Sequence, residues 1–458
     1  MVFFLFPFSS LAVQKITFVF STTFTPQKYN RMSQQTRTSQ ALMQLEDQYG
    51  AHNYHPLPVV LARGEGVYVW DVDGKRYFDF LSAYSAVNQG HCHPRIIDAL
   101  TEQARTLTLT SRAFYSDVLG IYEKYVTEYF GYEKVLPMNT GAEGVETAIK
   151  ICRKWGYEKK GVAENQGLIV VFDQNFHGRT TTIISFSSDP DSRKNFGPFT
   201  GGFLRVPYND LDALTRVFEE NPTIVGVLTE PIQGEAGVMV PDEGFIPGIA
   251  RLCRTHNALF IADEIQTGIA RTGSLLAVCG NCTCSGDCER QTTYTKPDIL
   301  ILGKALSGGV YPVAAVLADH DIMDVITPGT HGSTYGGNPL ASKVALAALE
   351  VVKDEKLAQN ARKLGVIFRE RMQALILKSD WVTRVRGKGL LNAIVINDSP
   401  EGKTAWDICV ALKENGLIAK PTHGNIIRFA PPLVMTEEEL HECCDIIEKT
   451  ILAYGTKG

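Results

Sequence analysis

No acidic residue precedes Glu46 in this chain. The 458 residues contain only ten cysteines, which excludes a small disulfide-stapled secreted scaffold. Lys and Arg together (45) do not outnumber Asp and Glu (50), and the net charge of −5 comes without a basic stripe. Nucleic acid is therefore not an expected partner. Beyond the N-terminus no long uncharged stretch reads as a membrane-crossing helix. Internal repeats and low-complexity segments are missing too, which excludes solenoids and fibrous architectures. No Gly-Lys-Ser/Thr run forms a Walker loop. The composition is that of an ordinary globular chain long enough for two or three structural units.

The acid-free beginning stands apart. Val2–Phe8 and Ile16–Phe24 are rich in Phe and Val, with Lys15 and Lys28 interrupting them. A secretory signal fits poorly, because no basic region precedes the apolar stretch. Residues 1–40 read as a dispensable leader, with Met32 as an alternative start, and the expected compartment is the cytoplasm. A transit peptide to the mitochondrial matrix is the alternative. A second oddity is Cys279-Gly-Asn-Cys282-Thr-Cys284-Ser-Gly-Asp-Cys288. Four thiols this close could hold zinc and form an interaction module. Plain thiols or local disulfides on a surface insertion, residues 279–292, are the preferred reading, and no metal is expected.

Val67–Asp71 and Arg76–Phe80 alternate around Asp73-Gly74 and predict a hairpin. Helical spacing follows at 94–107, 116–129 and 143–155. Strand-like runs then alternate with helices: Leu168–Phe172, Ile224–Leu228, Leu259–Asp263, Ile299–Leu302 and Val313–Leu317. That alternation predicts an α/β fold with a mostly parallel sheet covered on both faces. One long helical stretch is expected from Asn338 to about Leu377. The remainder reads as a smaller α+β domain.

Two of these strands end in chemistry. The apolar run Ile299–Leu302 delivers Lys304 into Ala-Leu-Ser-Gly-Gly309. Burial at a strand end lowers a lysine pKa and makes the amine a nucleophile toward carbonyls. The run Ala258–Ala262 ends in Asp263. In open α/β sheets, ligands sit outside the carboxyl ends of the strands, so both groups would face one crevice. An imine-forming lysine and an acid for a ring nitrogen are what pyridoxal phosphate requires. A phosphate cradle is available at Asn139-Thr140-Gly141-Ala142, before a helix whose buried face carries Val145, Ala148, Ile149 and Cys152. Each element has an ordinary alternative: a surface lysine, a capping aspartate, a simple N-cap.

Longer blocks narrow the choice. His52-Asn-Tyr-His-Pro56, Tyr84–Pro94, Glu230-Pro-Ile-Gln-Gly-Glu-Ala-Gly237, Asp263-Glu-Ile-Gln-Thr-Gly268, Leu302–Gly309, Gly332–Pro339 and Ile427–Pro432 together resemble the class III aminotransferases of fold type I. The resemblance runs from about Leu45 to about Tyr454. It implies a large cofactor-binding domain at 93–338, and a small domain made of 41–92 and 339–458. By the same resemblance, Lys304 anchors pyridoxal 5'-phosphate and shuttles the proton, while Asp263 pairs with the ring nitrogen. Gln266 reaches the ring hydroxyl, Phe176 stacks on the ring, and Gly141 and Ala142 take the phosphate. Thr334 reaches the phosphate of a neighbouring subunit, which implies a homodimer. For substrates, Arg428 and Arg179 are carboxylate receptors, Glu235 masks Arg428, and Glu230 supports the site. Tyr54 meets an α-amino group, and Tyr84 narrows the pocket. The implied reaction moves the terminal amine of L-ornithine to 2-oxoglutarate, giving glutamate-5-semialdehyde and glutamate, as in arginine breakdown and proline supply. N-acetylornithine and 4-aminobutyrate are the rival amines.

Overall fold

The computed structural model describes residues 38–280 and 295–455. Most of the leader, and Cys282, Cys284 and Cys288, therefore lie outside the described residues. The chain divides into two compact units, 1–54 and 55–458. In the first, helix Ser39–Tyr49 is capped by Thr38, whose hydroxyl accepts the Ala41 N–H at 3.3 Å.

The second unit is built around a seven-stranded sheet. Its strands are β1 (Lys134–Met138), β2 (Leu168–Phe172), β3 (Phe203–Val206), β4 (Ile224–Thr229), β5 (Leu259–Asp263), β6 (Ile299–Leu302) and β7 (Ala314–Ala318). The spatial order is β1-β7-β6-β5-β4-β2-β3. Pairings from β6 through to β3 are parallel, whereas β7 runs antiparallel to both β6 and β1. Successive residues of the inner strands feed opposite faces, as a two-residue period requires. Phe260, Ala262, Leu300 and Leu302 enter one core, while Ile261, Ile299 and Ile301 enter the other. Burial on both faces explains why these strands read as unbroken apolar runs. Each such Ile, Leu or Phe side chain contributes about 2 kcal/mol of burial energy.

The second face is covered by helix α1 (Gly141–Glu158), through Val145, Ala148, Ile149 and Cys152 as its spacing predicts. Two flanking sheets complete the unit. Strands Leu61–Glu65, Tyr68–Asp71 and Arg76–Asp79 form an antiparallel meander, and Leu417–Ile418 adds to its edge in parallel. An antiparallel sheet with the order 382–388, 391–396, 426–429, 420–422 carries Arg428.

Three features depart from the sequence reading. Strands β1 and β3, at the two sheet edges, were not anticipated: Pro137 and Arg205 break their apolar pattern, and an edge strand tolerates both. The stretch expected as one helix from Asn338 is two, Pro339–Asp354 and Leu357–Ile376. They are split where Lys356 takes φ +53°. The Ser82–Ser85 segment is a left-handed turn, with φ of 47°, 46°, 61° and 71° in succession and no glycine.

Candidate active site

Strand pairing puts Asp263 opposite Ile301. β6 ends one residue later at Leu302 and leads through Gly303 to Lys304, so the carboxylate and the amine both emerge at the carboxyl ends of their strands. They line a cleft of about 190 Å³ together with Gly141, Ala142, Phe176, His177, Gly178, Glu230, Ile265, Gln266 and Thr267. Lys304 sits at φ +45°, a conformation costing a non-glycine residue on the order of 1 kcal/mol. Burial lowers the pKa of its amine, against the opposing pull of Glu235.

Asp263 is 4 % exposed. Its Oδ1 accepts the Ile265 N–H at 3.1 Å, and its Oδ2 accepts His177 Nδ1–H at 2.7 Å. Burial disfavours a charged His177, but the Asp263 hydrogen bond and charge outweigh it and push the pKa up. His177 Nε2 is buried with no hydrogen-bond partner among the described residues. Sequence reasoning gave His177 no role. The one available signal was its position beside Phe176, just past a buried strand.

Glu230 is the second buried acid. Its Oε2 accepts the Phe176 N–H at 2.9 Å, and Gly234 N lies 3.4 Å from Oε1. Burial raises its pKa to about 7, with His177 opposing and Asp263 reinforcing the rise.

A third acid behaves in the opposite way. Glu235 Oε1 accepts Arg428 Nη1 at 2.6 Å and Gln266 Nε2 at 2.9 Å. Burial alone would raise Glu235, but Arg428, Lys304 and these hydrogen bonds hold it at about 2. Gln266 Oε1 is 3.5 Å from Arg428 Nη1, so the amide bridges the pair to the cleft. The Arg428 guanidinium lies 5.0 Å from the Tyr84 ring centre.

The remaining expected residues are more scattered. Arg179 is exposed at the rim, 5.7 Å from the Phe176 ring centre and 4.0 Å from Asp189. Thr334 is exposed and does not line the cleft. Its neighbour Ser333 accepts Asn139 Nδ2 at 2.9 Å, beside the start of α1. Tyr54 belongs to the first unit and is exposed. Cys279 is buried in the turn Ala277–Cys279, and the described residues contain no cluster of metal-ligating side chains.

The cleft suits pyridoxal phosphate on three counts. The capping box of α1 uses Thr140 and Glu143, and the free first N–H groups of a helix belong to residues such as Gly141 and Ala142, which line the cleft. A Cβ on Gly141 would come within 3.0 Å of Ile265 Cδ1, so the close approach needs glycine. The half-buried Lys304 and the buried Asp263 carboxylate line this same cleft, and an aldehyde and a ring nitrogen call for an amine and an acid.

The aminotransferase class-III family model matches residues 49–451, and the chain belongs to that family. It is therefore a transaminase whose cofactor is pyridoxal 5'-phosphate. Among curated relatives it is similar to the mitochondrial ornithine aminotransferase of Drosophila melanogaster, at 59 % identity over 89 % of this chain and 90 % of that protein. The ornithine aminotransferase of Toxoplasma gondii superposes with a TM-score of 0.86 at 47 % identity, covering 91 % of this chain and 95 % of that one. A crystal structure named as acetylornithine aminotransferase from Elizabethkingia anophelis is 64 % identical, with a TM-score of 0.82 and coverage of 91 % and 99 %.

Proposed function

We propose that the chain transfers the terminal amino group of L-ornithine to 2-oxoglutarate, giving glutamate and a semialdehyde that closes to pyrroline-5-carboxylate. The Glu235–Arg428 contact at 2.6 Å carries this reading. Glutamate must offer its α-carbon, so its α-carboxylate needs a buried arginine, and a guanidinium fork fixes it. Ornithine must offer its far end, so the same arginine has to be covered. A glutamate that can swing off Arg428 serves both half-reactions.

Bound pyridoxal phosphate supplies an electron sink for the carbon that loses its proton. The side chains supply the rest. Lys304 anchors the cofactor's aldehyde carbon. Once the substrate amine had displaced it, its amine, eased toward neutrality by burial, would take the proton from the amine-bearing carbon and pass it to the cofactor carbon that had carried the aldehyde. Asp263 would keep the ring nitrogen protonated, and Gln266 would serve the ring hydroxyl. Phe176, whose backbone N–H donates to Glu230, would stack on the ring. The N–H groups of Gly141 and Ala142 take the phosphate. Arg179 binds the ornithine carboxylate in one half-reaction and the distal carboxylate of glutamate in the other. Tyr84 narrows the pocket. Thr334, away from this chain's own cleft, is assigned to the phosphate site of a second copy, which makes the working form a homodimer. The edge pairing of Leu417–Ile418 with Arg76–Asp79 supports grouping the hairpin with the C-terminal segment as a smaller domain.

N-acetylornithine is the second reading, favoured by the name of the Elizabethkingia structure. Initial rates with ornithine, N-acetylornithine and 4-aminobutyrate against 2-oxoglutarate separate the readings. Ornithine is expected to be fastest, and faster turnover of N-acetylornithine overturns the assignment. For the compartment, we infer the mitochondrial matrix in place of the cytoplasm. The acid-free leader and the mitochondrial names of the fly and rat relatives support it. Fractionation of cells expressing the chain with and without residues 1–40 tests this.

A further inference from the structure

The left-handed turn at Ser82–Ser85 is the largest backbone anomaly near the site. Four consecutive L-residues hold positive φ, a conformation that chirality makes unfavourable and that persists only where surroundings enforce it. One residue of that turn, Tyr84, meets Arg428. The enforcement comes from Asp79, at the end of strand Arg76–Asp79 and 4 % exposed. Asp79 Oδ1 accepts the N–H groups of Leu81 at 2.8 Å and Ser82 at 2.9 Å. Its Oδ2 pairs with His91 Nε2 at 2.8 Å. His91 is itself pinned, because its backbone exchanges hydrogen bonds with Gly66 at 2.8 and 3.0 Å. Within the turn, Tyr84 N–H donates to Leu81 O at 3.0 Å and Ala86 N–H to Ser82 O at 2.9 Å. The carboxylate thus captures the amides that open the turn, and the histidine fixes the carboxylate.

We propose that Asp79 is a positioning residue for amine selection. It winds Ser82–Ser85 left-handed, and that winding sets the Tyr84 ring against the Arg428 guanidinium. A right-handed or extended 82–85 would redirect the Tyr84 side chain. The Glu235–Arg428 pair would then lack its aromatic wall, and the pocket would accept shorter amines. This inference rests on the ornithine reading above and adds the element that holds one of its specificity residues in place.

The test compares Asp79→Ala, Asp79→Asn and Tyr84→Ala holoenzymes. Two quantities are read: kcat/KM for ornithine divided by that for 4-aminobutyrate, and hydrogen-exchange protection of the Leu81 and Ser82 amides. Asparagine keeps an acceptor for both amides, so Asp79→Asn is expected to retain protection and a ratio within about threefold of the parent. Asp79→Ala is expected to lose protection and lower the ratio about tenfold, toward the value of Tyr84→Ala. Lost protection with an unchanged ratio overturns the proposal, provided Tyr84→Ala does shift the ratio. If Tyr84→Ala itself leaves the ratio unchanged, the role given to Tyr84 fails and the proposal falls with it. Should Asp79→Ala not fold, Ala83→Val decides. A β-branched residue resists the positive φ of this exposed position, so a lowered ratio in a folded holoenzyme supports the proposal and an unaltered ratio refutes it.

Discussion

His177 Nδ1 donates to Asp263 Oδ2 at 2.7 Å, and both side chains are almost completely buried. The imidazole therefore acts on whatever the carboxylate acts on. Replacing His177 with Phe leaves Asp263 without its nearest donor. A hydrogen bond to a charged group is worth roughly 1.5–3 kcal/mol. The expected result is a fall of about ten- to hundredfold in kcat, with the protein still folded. Steady-state kinetics beside a cofactor-absorbance titration check it, and a parental kcat would contradict the coupling.

Lys304→Ala is expected to reduce transamination by at least about 10³-fold, the scale of losing a positioned acid–base group. The fold should survive, since the change removes a buried amine whose charged form is disfavoured there. Turnover and a thermal melt on the same preparation decide, and near-parental turnover would refute the assignment.

Glu235→Ala uncovers Arg428. The glutamate half-reaction should gain on the ornithine half-reaction, measured separately by single-turnover absorbance. Stability should drop by roughly 3 kcal/mol, the lower end for breaking a buried pair, because the Glu235 side chain is 24 % exposed. An unaltered ratio of half-reactions would remove the masking role.

Glu230 predicts a pH dependence. Its folded pKa, about 7, lies above the ordinary 4.5. The folded state binds the extra proton, so the stability it contributes is complete below pH 4.5 and lost as pH rises through 7. The full loss is roughly 3 kcal/mol at about 1.4 kcal/mol per pKa unit. Glu230→Gln cannot ionise, so its melting temperature relative to the parent should climb by several degrees between pH 5 and pH 8. Parallel melting curves across that range would exclude a protonated Glu230.

For the cysteine-rich insertion, purified protein is expected to carry the same zinc content as a variant with Cys279, Cys282, Cys284 and Cys288 changed to serine. Elemental analysis of both settles it, and a stoichiometric difference would establish a metal module.

The two strand ends that matter were legible in the sequence because β5 and β6 are buried on both faces, and continuous apolar runs announce such strands. Helix α1 was legible from its repeat of buried residues. The antiparallel sense of β7 was not, since a run of apolar residues carries no direction. Edge strands β1 and β3 escaped because half-covered edges need no such run. The contact of Glu235 with Arg428 joins residues 193 positions apart and has no periodic signature. Resemblance alone suggested it. His177 was missed because one histidine beside an aromatic looks like a packed core residue. The turn at Ser82–Ser85 was missed for a related reason: left-handed backbone is usually betrayed by glycine, and here the Asp79 carboxylate, three residues upstream, stands in its place.

Glu264, next to Asp263, accepts the Val278 N–H at 2.8 Å, and Thr295 N–H returns to Val278 O at 3.3 Å. The chain thus leaves and rejoins the core at one stitched point. Lengthening a segment closed at its root costs only about 0.6 kcal/mol per doubling. A fluorescent reporter or affinity handle spliced between Gly280 and Thr295 should leave the catalytic strands undisturbed, which makes this locus a ready place to label the enzyme without touching either terminus.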